Sequence, residues 1–272
     1  MEKYSVLMSL YKSERAEYLR PAIDSMLAQT VPPDEIVMVE DGPLGEELIA
    51  ILDEYSERYP ELFVRVKNEV NLGLGLALNE GLKACKNELV ARMDTDDIAF
   101  PERCEKQLAI FEAKPELAIV GAYVSEFHTT PDEVASVRAV PTTHEEIYRF
   151  AKRRSAFNHP AVMYRKSRVL EFGGYSDLRR NQDVDLFGRM LFGGCIAENV
   201  GESLLYFRSN DALARRRKSW QNTKSYINTI KRFWKMGYSS FVDYFVVATA
   251  QTVMFLLPVR LQHWVYKKFL RR

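Results

Sequence analysis

Three carboxylates within four residues, Asp94, Asp96 and Asp97, follow directly on the short strand-like run Leu89-Val90-Ala91-Arg92-Met93. Acids packed this tightly repel one another and resist ionising together. A hard divalent cation relieves the repulsion, because it takes several oxygen ligands and keeps positions open for phosphate oxygens. A strand that ends in such a cluster is suited to holding a metal ion against a diphosphate. The competing reading is a solvated acidic turn ahead of a helix that begins near Pro101. Smaller groups accompany it. Ser9, Tyr11 and Glu14 follow the apolar run Tyr4–Leu10, and a ring such as Tyr11 can stack on a nucleobase or pack within its loop. Asp41 closes Glu35–Glu40 and precedes Gly42, where aspartate commonly serves a turn. Asn71-Leu72-Gly73-Leu74-Gly75 precedes a helix, and glycines there let backbone N–H groups approach phosphate. It is not a dinucleotide fingerprint, because Leu78 stands at the third glycine position. Asp183 can cap the helix that follows it. Asp185 can anchor that loop, and Arg189 can pair with either acid.

These residues need elements to hold them. Tyr4–Leu10 reads as a fully buried strand. Leu19, Ala22, Ile23, Met26 and Leu27 recur at helical spacing and predict a helix over 18–28. Glu35–Glu40 is a second strand, stopped by Asp41-Gly42-Pro43, and Leu48, Ile49, Leu52 and Tyr55 mark a second helix. Strands over 62–66 and 88–93 flank a helix over 76–85. This alternation predicts an α/β fold with a parallel, doubly wound sheet. Ligands of such sheets sit beyond the carboxyl ends of the strands. Ser9–Tyr11, Glu40–Gly42 and Asp94–Asp97 fall at those ends and are expected on one rim. After Pro101 the pattern is less regular. It predicts helices over 102–113, 143–151, 166–171 and 183–192, strands over 117–127, 134–140 and 161–164, and a turn at Gly173-Gly174-Tyr175.

The net charge of +1 over 272 residues hides an asymmetry. Residues 212–272 carry 13 Lys or Arg and one acid, Asp243, while residues 1–211 carry 25 basic and 36 acidic side chains. An acidic body with a basic tail points to a tail that meets an anionic surface. Within the tail, Arg215-Arg216-Arg217-Lys218 opens a basic, aromatic helix expected to reach Met236. Tyr244–Val259 then runs 16 residues without charge, short of the roughly 20 that span a bilayer. Trp264, Tyr266 and Phe269 follow among basic residues. That arrangement suits helices lying in a membrane interface, against the alternative of a helical pair packed on protein. Cys85, Cys104 and Cys195 show neither metal-ligand spacing nor a disulfide framework, so a reducing compartment is expected. Met1-Glu2-Lys3-Tyr4 leads straight into the first strand with no secretory signal. The expected location is the cytoplasm, with the protein peripherally attached to the inner face of the cell membrane.

The order of these segments is recognisable. Ser5–Leu10, Val39-Glu40-Asp41-Gly42, Asn71–Gly75, Arg92–Asp97 and Gln182-Asp183-Val184-Asp185-Leu186 resemble the family 2 glycosyltransferases of the GT-A fold. The resemblance covers about residues 4–208, and its nearest look is to bacterial enzymes of exopolysaccharide and lipopolysaccharide synthesis. It implies a Rossmann-like, mostly parallel central sheet with helices on both faces over 1–211, followed by a C-terminal helical extension over 212–272. It further implies inverting transfer of a sugar from a nucleotide-diphosphate donor to a hydroxyl of a glycan or lipid-linked acceptor, with Mn2+ or Mg2+. Residue by residue, Asp96 and Asp97 would hold the metal and Asp94 would lie nearer the ribose. Arg92 would either partner the acids or touch phosphate. Asp41 stands where uridine-specific members accept the uracil imide proton, with Glu40 beside it, so a UDP-sugar is the expected donor. Ser9, Tyr11, Glu14 and Gly73 would line the donor site. Asp183 would be the general base, since inversion needs a single displacement and one base. His159, Gln182 and Asp185 would lie on the acceptor side. Gln182 departs from the acid common there and could orient by hydrogen bonding.

Three other functions compete. A GT-A-like sugar nucleotidyltransferase wants a glycine-rich loop after the first strand, and Tyr11-Lys12-Ser13-Glu14-Arg15 has no glycine. A nucleic-acid-binding role would rest on the basic tail alone. An inactive scaffold would not need the acidic triplet and Asp183 together.

Overall fold

The computed structural model describes residues 2–209 and 219–257. The basic run Arg215–Lys218 and the stretch 258–272 lie outside the described residues. Strands β1 (Tyr4–Leu10), β2 (Glu35–Asp41), β3 (Phe63–Asn68) and β4 (Leu89–Met93) pair in parallel in the order β3-β2-β1-β4. Helices α1 (Ala16–Leu27), α2 (Glu46–Arg58) and α3 (Leu74–Ala84) connect them. Along β1, Val6, Met8 and Leu10 enter one core while Leu7 enters the other; Ile36 and Met38 of β2 oppose Val37 and Val39 in the same way. The pleat of each strand thus feeds two cores, which is why these runs are mostly apolar instead of alternating. Leu19, Ala22, Ile23 and Met26 of α1 cover one face, and Ala77, Leu78 and Leu82 of α3 cover the other.

The second half of the sheet is mixed. β5 (Ile98–Ala99), α4 (Arg103–Ala113), β6 (Leu117–Phe127), β7 (Val134–Arg138) and α5 (His144–Ala151) come first. A short 3₁₀ turn (His159–Ala161), β8 (Met163–Arg165), α6 (Lys166–Glu171), α7 (Gln182–Phe192) and β9 (Ile196–Arg208) follow. β8 is antiparallel to β4 and β6, β9 is parallel to β6, and β5 and β7 pair antiparallel at the margin. The result is a nine-stranded sheet, and its mostly parallel α/β character is the one expected from the sequence. Two strands were not expected. β5 is two residues long, too short to show periodicity. β9 is 13 residues long, but Gly201 and the polar run Glu198-Asn199 interrupt it, and its register against β6 shifts repeatedly.

The described part of the C-terminal extension is a helical hairpin, α8 (Trp220–Lys235) and α9 (Phe241–Leu256). Ser219 caps α8, and Ser240 with Asp243 forms a capping box on α9. Asp243 also pairs with Arg153, so the one acid of the tail secures the hairpin to the body. Ile230, Phe233 and Tyr238 join the core that holds Leu186, Phe187 and Met190 of α7. The change of composition near residue 212 is therefore not an edge of the core. Among the described residues no helix is long and apolar enough to cross a membrane.

Candidate active site

Parallel pairing of β1 with β4 puts Met8 beside Met93, so the loop after β1 and the acidic loop after β4 leave the sheet together. Glu14 accepts a hydrogen bond from Thr95 Oγ1 at 3.2 Å. Ser9, Tyr11 and Glu14 are all half-buried beside the acids. Asp94, Asp96 and Asp97 offer carboxylate oxygens that lie within 4.8 Å of one another. Arg92, fully buried beneath them, pairs with Asp94. Asp97 Oδ1 accepts the backbone N–H of Arg208 at 2.8 Å, whereas its Oδ2 is buried without a hydrogen-bond partner among the described residues. Two of the three guanidinium nitrogens of Arg92, Nε and Nη1, are in the same condition. Burial, then the charges of Asp94 and Glu14, push the Asp96 carboxyl up to about 7. Burial, then Asp96 and Asp94, push Asp97 up as well. Unpaired buried polar atoms are uncommon and expensive. An orphaned carboxylate oxygen within a triplet of acids is a donor set that suits a hard dication.

Asp41, at the end of β2, is differently occupied. Its carboxylate accepts from Asn68 Nδ2 at 3.3 Å, Asn71 Nδ2 at 2.8 Å, and the backbone N–H groups of Leu72 and Gly73 at 2.8 and 3.0 Å. It holds the loop ahead of α3 in place, with Gly73 at φ +89°, a conformation that favours glycine. Glu40 pairs with Arg65 of β3 at 2.6 Å.

Across the cleft, α7 begins at Asn181, which takes a left-handed conformation with φ 61°. Asp183 is the second residue of the helix and so is not its cap. Burial pushes its carboxyl above the usual range; Arg92 pulls it down and Asp94 adds to the rise. The two acidic segments therefore feel one another's charge. Gln182 is buried, and a Cβ added at Gly75 would lie 3.2 Å from its Cβ and Cγ, so the two pack tightly. The donor-side loop and the start of α7 are thereby joined. Asp185 is buried and fully engaged: Ser176 Oγ donates at 2.5 Å, Arg189 Nε at 3.1 Å and Arg232 Nη2 at 2.5 Å. Of the two acids, Arg189 pairs with Asp185. His159 is buried with Nε2 2.9 Å from Tyr175 Oη and its ring against Tyr175 and Phe187. Burial, helped by Arg92, pushes its imidazole well below the usual range, which keeps it neutral.

The sequence model of glycosyl transferase family 2 matches residues 5–178. The chain belongs to family 2 of the glycosyltransferases. It is 37% identical over 270 residues to an uncharacterized glycosyltransferase of Haemophilus influenzae, covering 99% of this chain and 100% of that one. It is 35% identical to an amylovoran biosynthesis glycosyltransferase of Erwinia amylovora, covering 97% and 98%. It is 32% identical to the UDP-Gal:alpha-D-GlcNAc-diphosphoundecaprenol beta-1,3-galactosyltransferase of Escherichia coli, covering 99% and 97%. Among solved structures it resembles S. aureus TarS 1–349 in complex with UDP-GlcNAc, with a TM-score of 0.70 at 16% identity over 96% of this chain and 77% of that one. GalNAc-T7 with UDP, GalNAc and Mn2+ gives 0.69 at 16%, over 98% and 54%. At that identity the likeness concerns the GT-A fold.

Three residues of the transferase site escaped the sequence. Arg208, at the end of β9, donates its backbone N–H to Asp97 and its Nε to Asp96 O at 3.0 Å, while its guanidinium stacks 3.9 Å from Tyr18. The run Leu204-Leu205-Tyr206-Phe207 before it was the available signal for a strand. Arg179 Nη1 donates to Asn71 Oδ1 at 3.1 Å and so links the loop before α7 to the one Asp41 holds. Arg232 lay in a tail whose charge pointed outward to lipid, and no local pattern marks its pairing with Asp185.

Proposed function

We propose that this transferase moves a sugar, with inversion, from a UDP-sugar to a hydroxyl of a glycan or lipid-linked acceptor in cell-surface polysaccharide synthesis. Asp96 and Asp97 would hold Mn2+ or Mg2+, with Asp94 toward the ribose and Arg92 toward phosphate. A bound dication supplies charge neutralisation to the departing diphosphate. Ser9, Tyr11, Glu14 and the Gly73 loop would form the wall around the nucleotide. Asp41 is assigned to the donor side through the loop it fixes. Asp183 would take the acceptor hydroxyl's proton, its raised affinity for protons matching that task. His159, Gln182 and Asp185 would shape the acceptor side. His159 and Asp185 do so through the groups they already hold. The observation that carries this reading is the orphaned Asp97 Oδ2 at the sheet rim, in a cluster whose Arg92 and Asp94 act on the charge of Asp183. The UDP-sugar and the lipid-linked acceptor are supported by the substrates that the Escherichia coli relative's name states.

We also assign the exposed face of α9 to a membrane surface. Phe241, Val242, Phe245, Val246, Val253 and Leu256 all project outward, Phe245 at 60% and Leu256 at 73% exposure. A contiguous apolar face of this kind marks an interaction surface, and the basic residues beyond it in sequence favour anionic lipid. Deleting the tail would uncover Ile230 and Phe233, so Phe241→Glu with Phe245→Glu is the cleaner test. Reduced co-sedimentation with anionic vesicles is expected, and unchanged co-sedimentation removes the assignment.

The transfer itself is tested by incubating a panel of nucleotide sugars and lipid-linked sugars with Mn2+, Mg2+ or chelator. Metal-stimulated transfer that reverses the anomeric configuration, read by NMR coupling constants, is the expected result. Retention of configuration or full activity in chelator would overturn it.

A further inference from the structure

Outside the acidic rim, α8 and the loop that leads into α7 border a groove of about 220 Å³. Leu178, from the loop that leads into α7, forms one wall. Gln221, Lys224, Ser225, Asn228 and Arg232 of α8 form the other. No carboxylate lines it. Ser225 Oγ donates to Arg180 O at 2.9 Å and closes one end. Lys224 is exposed and meets no acid among the described residues. Arg232 is half-exposed on the groove side, and its cluster with Arg189 and Asp185 keeps one net positive charge. Asp177 and Arg179 flank Leu178 in the chain, and Arg180 follows. The groove therefore gathers two cations and two amides that can donate hydrogen bonds, and it is separate from the acid-lined rim.

Its position gives it a use. The loop that walls it continues through Arg180 to Asp183, and Tyr226 on the same helix α8 feels the charge of Asp183. At the opposite end Trp220, next to Gln221, packs 5.3 Å from Phe255 of α9. The groove thus runs between the candidate base and the apolar helix assigned above to the membrane surface. A lipid-linked sugar whose hydroxyl reached Asp183 and whose chain lay along α9 would lay its linking group here.

We propose that this groove binds the diphosphate that joins the acceptor sugar to its lipid, with Lys224 and the exposed side of Arg232 meeting the phosphate oxygens. The proposal rests on the lipid-linked acceptor named above. Charge-assisted hydrogen bonds to phosphate are the stronger kind, and a tetrahedral anion suits converging ammonium, guanidinium and amide donors.

The test is direct binding to the full chain. Decyl diphosphate and decyl monophosphate are titrated calorimetrically with the donor site saturated by UDP and Mn2+. The wild type is expected to bind the diphosphate more tightly than the monophosphate. Lys224→Glu should weaken the diphosphate at least about tenfold, the scale of one charge-assisted bond. Lys231→Glu, the same charge change outside the groove, should leave it within about twofold, since exposed charges are screened beyond a Debye length. Equal binding by wild type and Lys224→Glu, equal loss in both variants, or no binding by the wild type overturns the proposal. A wild type that binds decyl diphosphate but no UDP would instead sink the glycosyl-transfer reading, and the two failures are thereby distinguished.

Discussion

Two acidic segments face each other in this molecule, and they are built in opposite ways. After β4, Asp94, Asp96 and Asp97 crowd together, Arg92 pairs with Asp94, and Asp97 Oδ2 is left without a partner among the described residues. At the start of α7, Asp185 is met by two arginines and a serine, and Asp41 across the cleft accepts four hydrogen bonds. The residue type is the same, but the partners set the role. A carboxylate whose lone pairs are filled by the protein holds structure, and one that is left short is poised for something the chain does not supply. Asp183 lies between these cases, buried enough to favour its proton but bound by no arginine among the described residues.

The contrast breaks most visibly at Asp97. Asp97→Asn is expected to lower turnover on the order of 10⁴-fold by removing a metal ligand worth several kcal/mol. The metal-free variant should keep or gain thermal stability, because an unpaired buried charge has gone. A variant that unfolds, or one that retains full metal-dependent turnover, would place Asp97 with the structural acids. Asp183→Asn should slow transfer by about 10²–10⁴-fold at unchanged donor affinity. Since the Asp183 carboxyl is pushed upward, the base form is lost as pH falls through its raised value. Wild-type kcat should therefore decline on the acid side above the ordinary carboxylate range, and the variant's profile should lack that limb.

Asp185 should behave the other way. Asp185→Asn strands Arg189 and Arg232, with an expected stability loss of about 3–5 kcal/mol in urea unfolding. Unaltered stability would mean that the trio is ornamental. The smallest effect concerns the metal alone. Mn2+ at about a hundredfold excess over its Kd should stabilise the protein by about 2.7 kcal/mol. The gain should be present at pH 8 and shrink at pH 5, where Asp96, pushed up to about 7, keeps its proton. Asp97→Asn should abolish the gain, whereas Asp185→Asn should not.

The first half of the fold was legible because its signals are local. β1, β2 and β4 are mostly apolar, helices follow β1 and β2, and the polar loops after all three fall at one sheet edge by topology. β9 was not legible, because Gly201 and its neighbouring polar residues break the alternation that marks a strand. Its loss hid Arg208. For the tail two readings stood, helices in a membrane interface or a helical pair packed on protein, on a segment with thirteen basic residues. One of those basic residues, Arg232, turns inward to Asp185, and the helix carrying it fills the core with Ile230 and Phe233.

The sequence by itself determined the strand–helix alternation of the first half, the acidic cluster at its rim and the family to which the chain belongs, since each depends on spacing along a few dozen residues. Only the tertiary structure decided which acids are satisfied. The donors that distinguish Asp41 and Asp185 from Asp97 arrive from residues 4 to 47 positions away, and Arg208 reaches Asp97 across 111. Composition counts charges, but hydrogen bonds need angstrom placement, and that placement exists only once the core has closed around them.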